Sequence, residues 1–236
     1  MRASHCSTFP LCLLALYANI RRVGHTGGVT AASATPDESE RRRGRPTVID
    51  AEQLLHATLS LWRDRGYQET GWREIAEVTG VSVRTLIRRF GERSRIPWVG
   101  LPAAVARLEG ALAIAPQAAP LGAVVRNAIV ASVSHEDGVL RLSPDWISLV
   151  SEVPQLRASA PIANAAWVDA LARFIADRHP DAPAAACRAL AVAYEAATFS
   201  ALVQWARAGA EGAPDRAVGD MLAWLDIRLQ SPRRYS

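Results

Sequence analysis

The chain contains no lysine: all 27 of its basic residues are arginine. Arginine suits phosphate and guanine recognition, but a total absence of lysine reflects the codon usage of a GC-rich genome, so it says little about partners. Cysteine is almost absent too, with Cys6, Cys12 and Cys187 far from any ligand spacing. This excludes a disulfide framework and a cysteine-based zinc site, and suits a reducing cytoplasm. The five histidines, His5, His25, His56, His135 and His179, show no metal or triad spacing. There is no nucleophile elbow and no phosphate loop. No catalytic residue, metal ligand or cofactor is therefore expected, and an enzyme has nothing in this sequence to stand on. Also missing are alternating β-branched runs bounded by hairpin turns, so the expected fold class is all-α.

What is present is enough apolar sequence for two cores, one small and one larger, in 236 residues of which 50% are hydrophobic. Charge divides them. Residues 41 to 95 carry 12 arginines against 7 acidic residues, whereas the 141 residues after them carry 12 against 13. The positive excess is concentrated in the smaller part.

Within that part the sequence reads as three helices. Asp50-Ala51-Glu52-Gln53 has the form of a capping box, and Ala51, Leu54, Leu55, Thr58, Leu59 and Trp62 follow at helical spacing up to Arg65 and Gly66. A second helix is expected over Trp72 to Thr79, with Ile75, Ala76 and Val78 inward. Gly80 breaks it. Ser82 is placed to cap a third helix starting at Val83, whose Leu86 and Phe90 share a buried face and leave Val83, Arg84, Arg88 and part of Thr85 outward. This is the layout of a helix-turn-helix, in which the N-terminal residues of the second motif helix meet base edges and flanking residues hold phosphates.

The run from Ala51 to Arg95 resembles the N-terminal domain of TetR-family transcriptional regulators. The resemblance rests on Trp62, Gly66-Tyr67, Thr70, Ile75-Ala76, Gly80-Val81-Ser82, Thr85-Leu86, Phe90 and Arg93, all in register. It implies DNA contacts from Thr70, Ser82, Val83, Arg84, Thr85, Arg88 and Arg93. Two positions depart from the pattern, with Ile87 where the family usually has a phosphate-binding tyrosine and Arg89 where it has histidine or tyrosine. Arg88 and Arg89 are candidates to replace the missing contacts. Upstream, Arg41-Arg42-Arg43-Gly44-Arg45-Pro46 forms a basic arm. Arg43 and Arg45 either enter a minor groove or add only nonspecific affinity through counterion release, and both readings put the arm on DNA.

Beyond residue 96, helices are expected over 97 to 114, with a kink or break required at Pro102, and over 120 to 134, 138 to 151, 155 to 179, 182 to 208 and 214 to 230. The segment around Leu140, Trp146, Pro154 and Trp167 resembles the C-terminal domain of actinobacterial-type members of the same family. The resemblance implies an apolar effector pocket, with Trp98, Trp146, Trp167, Phe174 and Tyr194 as candidate walls and Arg141 as an anchor for an acidic ligand; the alternative for each aromatic is ordinary core packing. In the final two helices a small-residue stripe (Ala186, Leu190, Ala193, Ala197, Ala201, Gln204, Trp205) and a leucine stripe (Met221, Leu222, Leu225, Leu229) fit either a homodimer interface or the closing of the domain's own core.

The first 40 residues stand outside this architecture, as a disordered extension or the product of a start placed too early. The run Phe9 to Ile20 is too short to span a bilayer and lacks a cleavage site. Translation from Val29, if its codon is GTG, would remove it. The expected division is 1 to 40, a helix-turn-helix domain over 41 to 95, and a ligand-binding and dimerisation domain over 97 to 230. The resulting expectation is a cytoplasmic, homodimeric repressor, without membrane association, released from a double-stranded DNA operator by a small-molecule effector. Its rivals are an activator or ligand-independent regulator, and, from another class, a helical carrier or enzyme with an incidental basic N-terminus.

Overall fold

Asp50 starts the first helix by accepting the Glu52 and Gln53 amides at 2.9 and 3.2 Å. In the computed structural model, which describes residues 50–134 and 143–224, this is α1 (Ala51–Arg65). Its buried face is Leu54, Leu55, Thr58, Leu59 and Trp62, with Leu61 beside them, as the spacing predicts. Thr58 stays inside by donating to Leu54 O at 2.8 Å. Gly66, at φ +87°, ends the helix.

Next come α2 (Trp72–Thr79) and α3 (Val83–Phe90). Gly71 has no side chain to cap α2, so the support runs the other way: Glu74 Oε2 accepts the Gly71 amide at 2.7 Å. That is half of a capping box. Ile75 is fully buried, but Val78, expected inward, is 46% exposed. With two turns against α1 and α3, α2 presents only a narrow inner face, and Val78 falls outside it.

A 3-10 helix (Arg93–Trp98) then leads into α4 (Leu101–Ala113). The helix expected over 97 to 114 is thus in two pieces. Pro97 sits in the tighter 3-10 turn and Pro102 in the first turn of α4, the positions where a missing N–H costs least. The remaining elements are α5 (Leu121–Val133), α6 (Pro144–Glu152), α7 (Pro154–Ala163), α8 (Ala165–Arg178), α9 (Ala184–Arg207) and α10 (Pro214–Trp224). The helix expected over 155 to 179 is broken at Asn164, three residues after Pro161. The start expected at 138 and the end expected at 230, with Leu225 and Leu229, fall outside the described residues. Among the described residues there is no strand.

Two hydrophobic clusters organise these helices. The larger joins α4, α5, α8, α9 and α10 around Leu108, Val125, Ile129, Leu171, Ile175 and Ala191. Helix α9 is apolar and long enough to cross a membrane by length and composition, yet Leu190, Ala191, Tyr194, Ala201 and Leu202 are buried in this cluster. Its small-residue stripe is covered unevenly, with Leu190 and Ala201 buried and Ala193 exposed. The smaller cluster holds α1, α2, α3 and the 3-10 helix together, and it contains Leu156 from α7. Leu156 is fully buried there. The smaller core is therefore completed by a residue some sixty positions downstream of it.

Candidate nucleic-acid interface and cavity

The turn between α2 and α3 is made by Gly80 in the left-handed region, at φ +66° and ψ +10°. Ser82 then caps α3, its hydroxyl accepting the Thr85 amide at 3.3 Å and lying 2.9 Å from Thr85 Oγ1. Leu86 and Phe90 point into the core, which fixes the outer face by elimination. That face carries Arg84, Ile87, Arg88 and Arg89, all exposed, with Ser82 at its start and Val83 and Thr85 half-buried beside it. None of these three arginines forms an ion pair among the described residues; Arg89 only leans on the Phe90 ring, 5.5 Å from its centroid. A row of unneutralised guanidinium groups on a short helix is an anion-facing surface.

Two residues expected on DNA are occupied elsewhere. Thr70 is 1% exposed and donates its hydroxyl to Gly66 O at 3.0 Å, tying the α1–α2 connection. Arg93 donates to Tyr67 O at 2.9 Å and lies 4.6 Å over the Tyr67 ring. Tyr67 in turn packs edge-on to Trp62 at 4.9 Å. Arg93 is therefore a clasp between the 3-10 helix and that connection. Arg43 and Arg45 lie outside the described residues.

A cavity of about 130 Å³ opens where the two clusters meet. Of the expected wall residues, Trp98, Trp146 and Trp167 line it. Tyr194 does not, being packed in the larger core at 3% exposure. Phe174 does not either; it lies under the Arg178 guanidinium, 4.9 Å away. Arg141 is outside the described residues. The sequence reading missed the polar walls, Arg107 on α4, Asn164 at the α7–α8 break, and Glu195 on α9. A signal for one was present: Glu195 is the single charged residue between Arg188 and Arg207.

The polar wall residues already have partial partners. Arg107 donates through Nε and Nη2 to Ser132 O at 3.2 and 2.7 Å, and burial lowers its pKa. Asn164 Nδ2 donates to Glu195 Oε1 at 2.6 Å. Burial pushes the Glu195 carboxyl above its ordinary range, and the Asn164 bond opposes this. No ion pair links Arg107 to Glu195 among the described residues.

The indoles make the junction. Trp98 and Trp146 meet edge to face at 5.5 Å. Trp146 donates to Pro97 O at 2.8 Å and packs against both clusters, while Trp98 donates to Ser159 Oγ at 2.9 Å. Leu55 of α1 also lines the cavity. On the surface nearby, Arg63 of α1 pairs with Asp145 of α6. The cavity thus touches α1, which shares the smaller core with α2 and α3.

Comparison with known proteins bears on the family. Residues 54–95 match the family model for bacterial regulatory proteins of the tetR family, and residues 119–228 match the MftR C-terminal domain. A candidate mycofactocin biosynthesis transcriptional regulator, MftR, from Mycobacterium tuberculosis is 24% identical over 139 residues, 59% of this chain and 70% of that protein. Among solved structures, a candidate transcriptional regulator from Pseudomonas aeruginosa PAO1 aligns with a TM-score of 0.49 at 20% identity, covering 75% of this chain and 88% of that one. The Thermus thermophilus repressor FadR, in complex with lauroyl-CoA, aligns at 0.47 and 18% identity, covering 77% and 97%. The two family models together take in most of the chain, one on the reader helices and the other on α5 to α10. The chain belongs to the TetR family and is a DNA-binding transcriptional regulator.

Proposed function

We propose that this regulator is a cytoplasmic repressor that binds a palindromic operator as a homodimer and is released by a small molecule. It performs no catalysis. The reader spans about residues 41 to 95, and the sensing and dimerising part about 97 to 230. Arg84 and Arg88 read or anchor from the outer face of α3, with Arg89 and the arm residues Arg43 and Arg45 adding phosphate contacts.

The observation that carries the ligand-released reading is the shared wall of the cavity. Leu55 of α1 and the Trp98–Trp146 pair line the same space, so a molecule that fits one arrangement of these groups better than another biases the position of α1. An effector shifts the equilibrium by its difference in affinity for the two conformers, and DNA favours the other. With two reader heads joined in a dimer, a small displacement at each is doubled at the operator.

The test is a gel shift of the purified protein on its own upstream DNA, repeated with metabolite pools. Binding abolished by a pool supports the repressor reading. Binding that no pool alters supports a ligand-independent regulator, and no binding to any DNA from a genome-wide map would remove the reader assignment.

A further inference from the structure

We propose that the cavity is built for a compact apolar carboxylate, whose anionic head pairs with Arg107 and whose body lies against the rings of Trp98, Trp146 and Trp167. This rests on the ligand-released reading above and adds to it the chemical class of the effector.

Size gives the first constraint. A space of about 130 Å³ is close to the apolar cavity of ~150 Å³ that accepts a benzene-sized guest. It suits a single ring or an equally short chain, not a long acyl tail buried along its whole length.

The walls give the second. Each indole N–H that could have faced the ligand is spent: Trp98 on Ser159, Trp146 on Pro97 O and Trp167 on Ser132 Oγ. Thr198 likewise donates to Tyr194 O. The tryptophans therefore offer ring surface only, and the body they contact is apolar.

Charge gives the third. Arg107 has five N–H donors, and the two atoms with partners, Nε and Nη2, both serve one neutral carbonyl, Ser132 O. Nη1 has no partner among the described residues, and no carboxylate neutralises the guanidinium. A half-buried cation without an ion-pair partner is open to one, and an entering carboxylate supplies that charge with charge-assisted hydrogen bonds.

The competing occupant is an amine, held by Glu195 and the aromatic faces. Two features disfavour it. Glu195 Oε1 is already engaged by Asn164, and burial drives the carboxyl toward its neutral form, whereas arginine remains charged at any accessible pH.

The experiment uses the full chain and reads tryptophan fluorescence during titration with benzoate, octanoate, benzyl alcohol and benzylamine. Saturable quenching by benzoate or octanoate, with much weaker responses to the alcohol and amine, is the expected result; which carboxylate is tighter distinguishes a ring from a short chain. Arg107→Gln should raise the benzoate Kd about ten- to a hundredfold. Because that variant could fail to fold, Ala104→Leu, which fills the cavity and keeps Arg107, serves as a second block and should also abolish quenching. Preferential benzylamine binding that Glu195→Gln removes overturns the proposal, as does benzoate binding indifferent to both Arg107→Gln and Ala104→Leu, or no carboxylate binding at millimolar concentration. Gel shifts with the same compounds separate the two ideas. Arg107-dependent carboxylate binding that leaves the operator complex intact upholds the ligand class and removes the effector role, whereas release by the amine alone upholds the effector role and removes the ligand class.

Discussion

Arginines at the reader divide into two kinds by what they touch. Arg84 and Arg88 project from α3 without an acidic partner, so replacing either with alanine should leave the melting temperature nearly unchanged while weakening operator binding. Arg84→Ala should also flatten base preference, and Arg88→Ala should lower the slope of log K against log salt by about one. Quantitative gel shifts across salt concentrations measure both. Arg93 behaves differently because it is clasped to Tyr67 O and the Tyr67 ring. Arg93→Ala should lower stability by about 1–3 kcal/mol in thermal melts, the scale of a charged hydrogen bond plus a cation–π contact. Its effect on DNA would then follow from a loosened reader. The resemblance implies a phosphate contact for Arg93; its Tyr67 partner lies 26 residues earlier in the chain, so only folding reveals that second role.

The two perturbed carboxylates give opposite pH signs. Glu74, whose backbone hydrogen bonds hold it below its ordinary pKa, contributes stability that is present above the unfolded carboxyl range and lost as pH falls through its folded value. Glu195, raised by burial, favours the protonated form in the fold, so it penalises stability increasingly as pH rises through its unfolded and then its folded value. Glu195→Gln keeps an acceptor for Asn164 and should raise the melting temperature at pH 7 with no gain near pH 4. A gain of equal size at both pH values would refute this account.

At the scale of elements, local chemistry wrote most boundaries. The bounds of α2 and α3, the Gly80 turn and the Ser82 cap follow from side chains within four residues, and they are where the sequence placed them. Gly80→Ala should cost about 1–2 kcal/mol through the left-handed backbone alone, since a Cβ there meets nothing within 4 Å. Ser82→Ala should cost about 1 kcal/mol by orphaning the Thr85 amide. Denaturant melts read both. The break before α4 follows from Pro102, which the sequence itself displays. The helix expected over 155 to 179 is instead interrupted at Asn164, whose side chain reaches Glu195, 31 residues away. That partner is not visible in a local window.

For the whole molecule, the decisive feature is that the reader does not close its own core. Leu156 of α7 fills it, and Trp146 belongs to both clusters. Leu156→Ala should cost about 2–5 kcal/mol and, because the two parts share this packing, far-ultraviolet and tryptophan signals should fall in a single transition. Separate transitions would show that the reader folds independently and would weaken the coupling on which effector release depends.

Residue type and spacing alone determined an all-helical chain with a helix-turn-helix near residues 70 to 95, because helix periodicity, caps and glycine turns are short-range effects that neighbouring residues settle among themselves. Three of the five aromatics proposed as pocket walls line the cavity; Phe174 and Tyr194 do not, since an apolar residue reads the same in sequence whether it fills a core or faces a void. The tertiary structure alone decided the polar side of the site. Arg107, Asn164 and Glu195 come from α4, the α7–α8 break and α9, and their meeting depends on helix packing across the chain, on contacts no local pattern encodes.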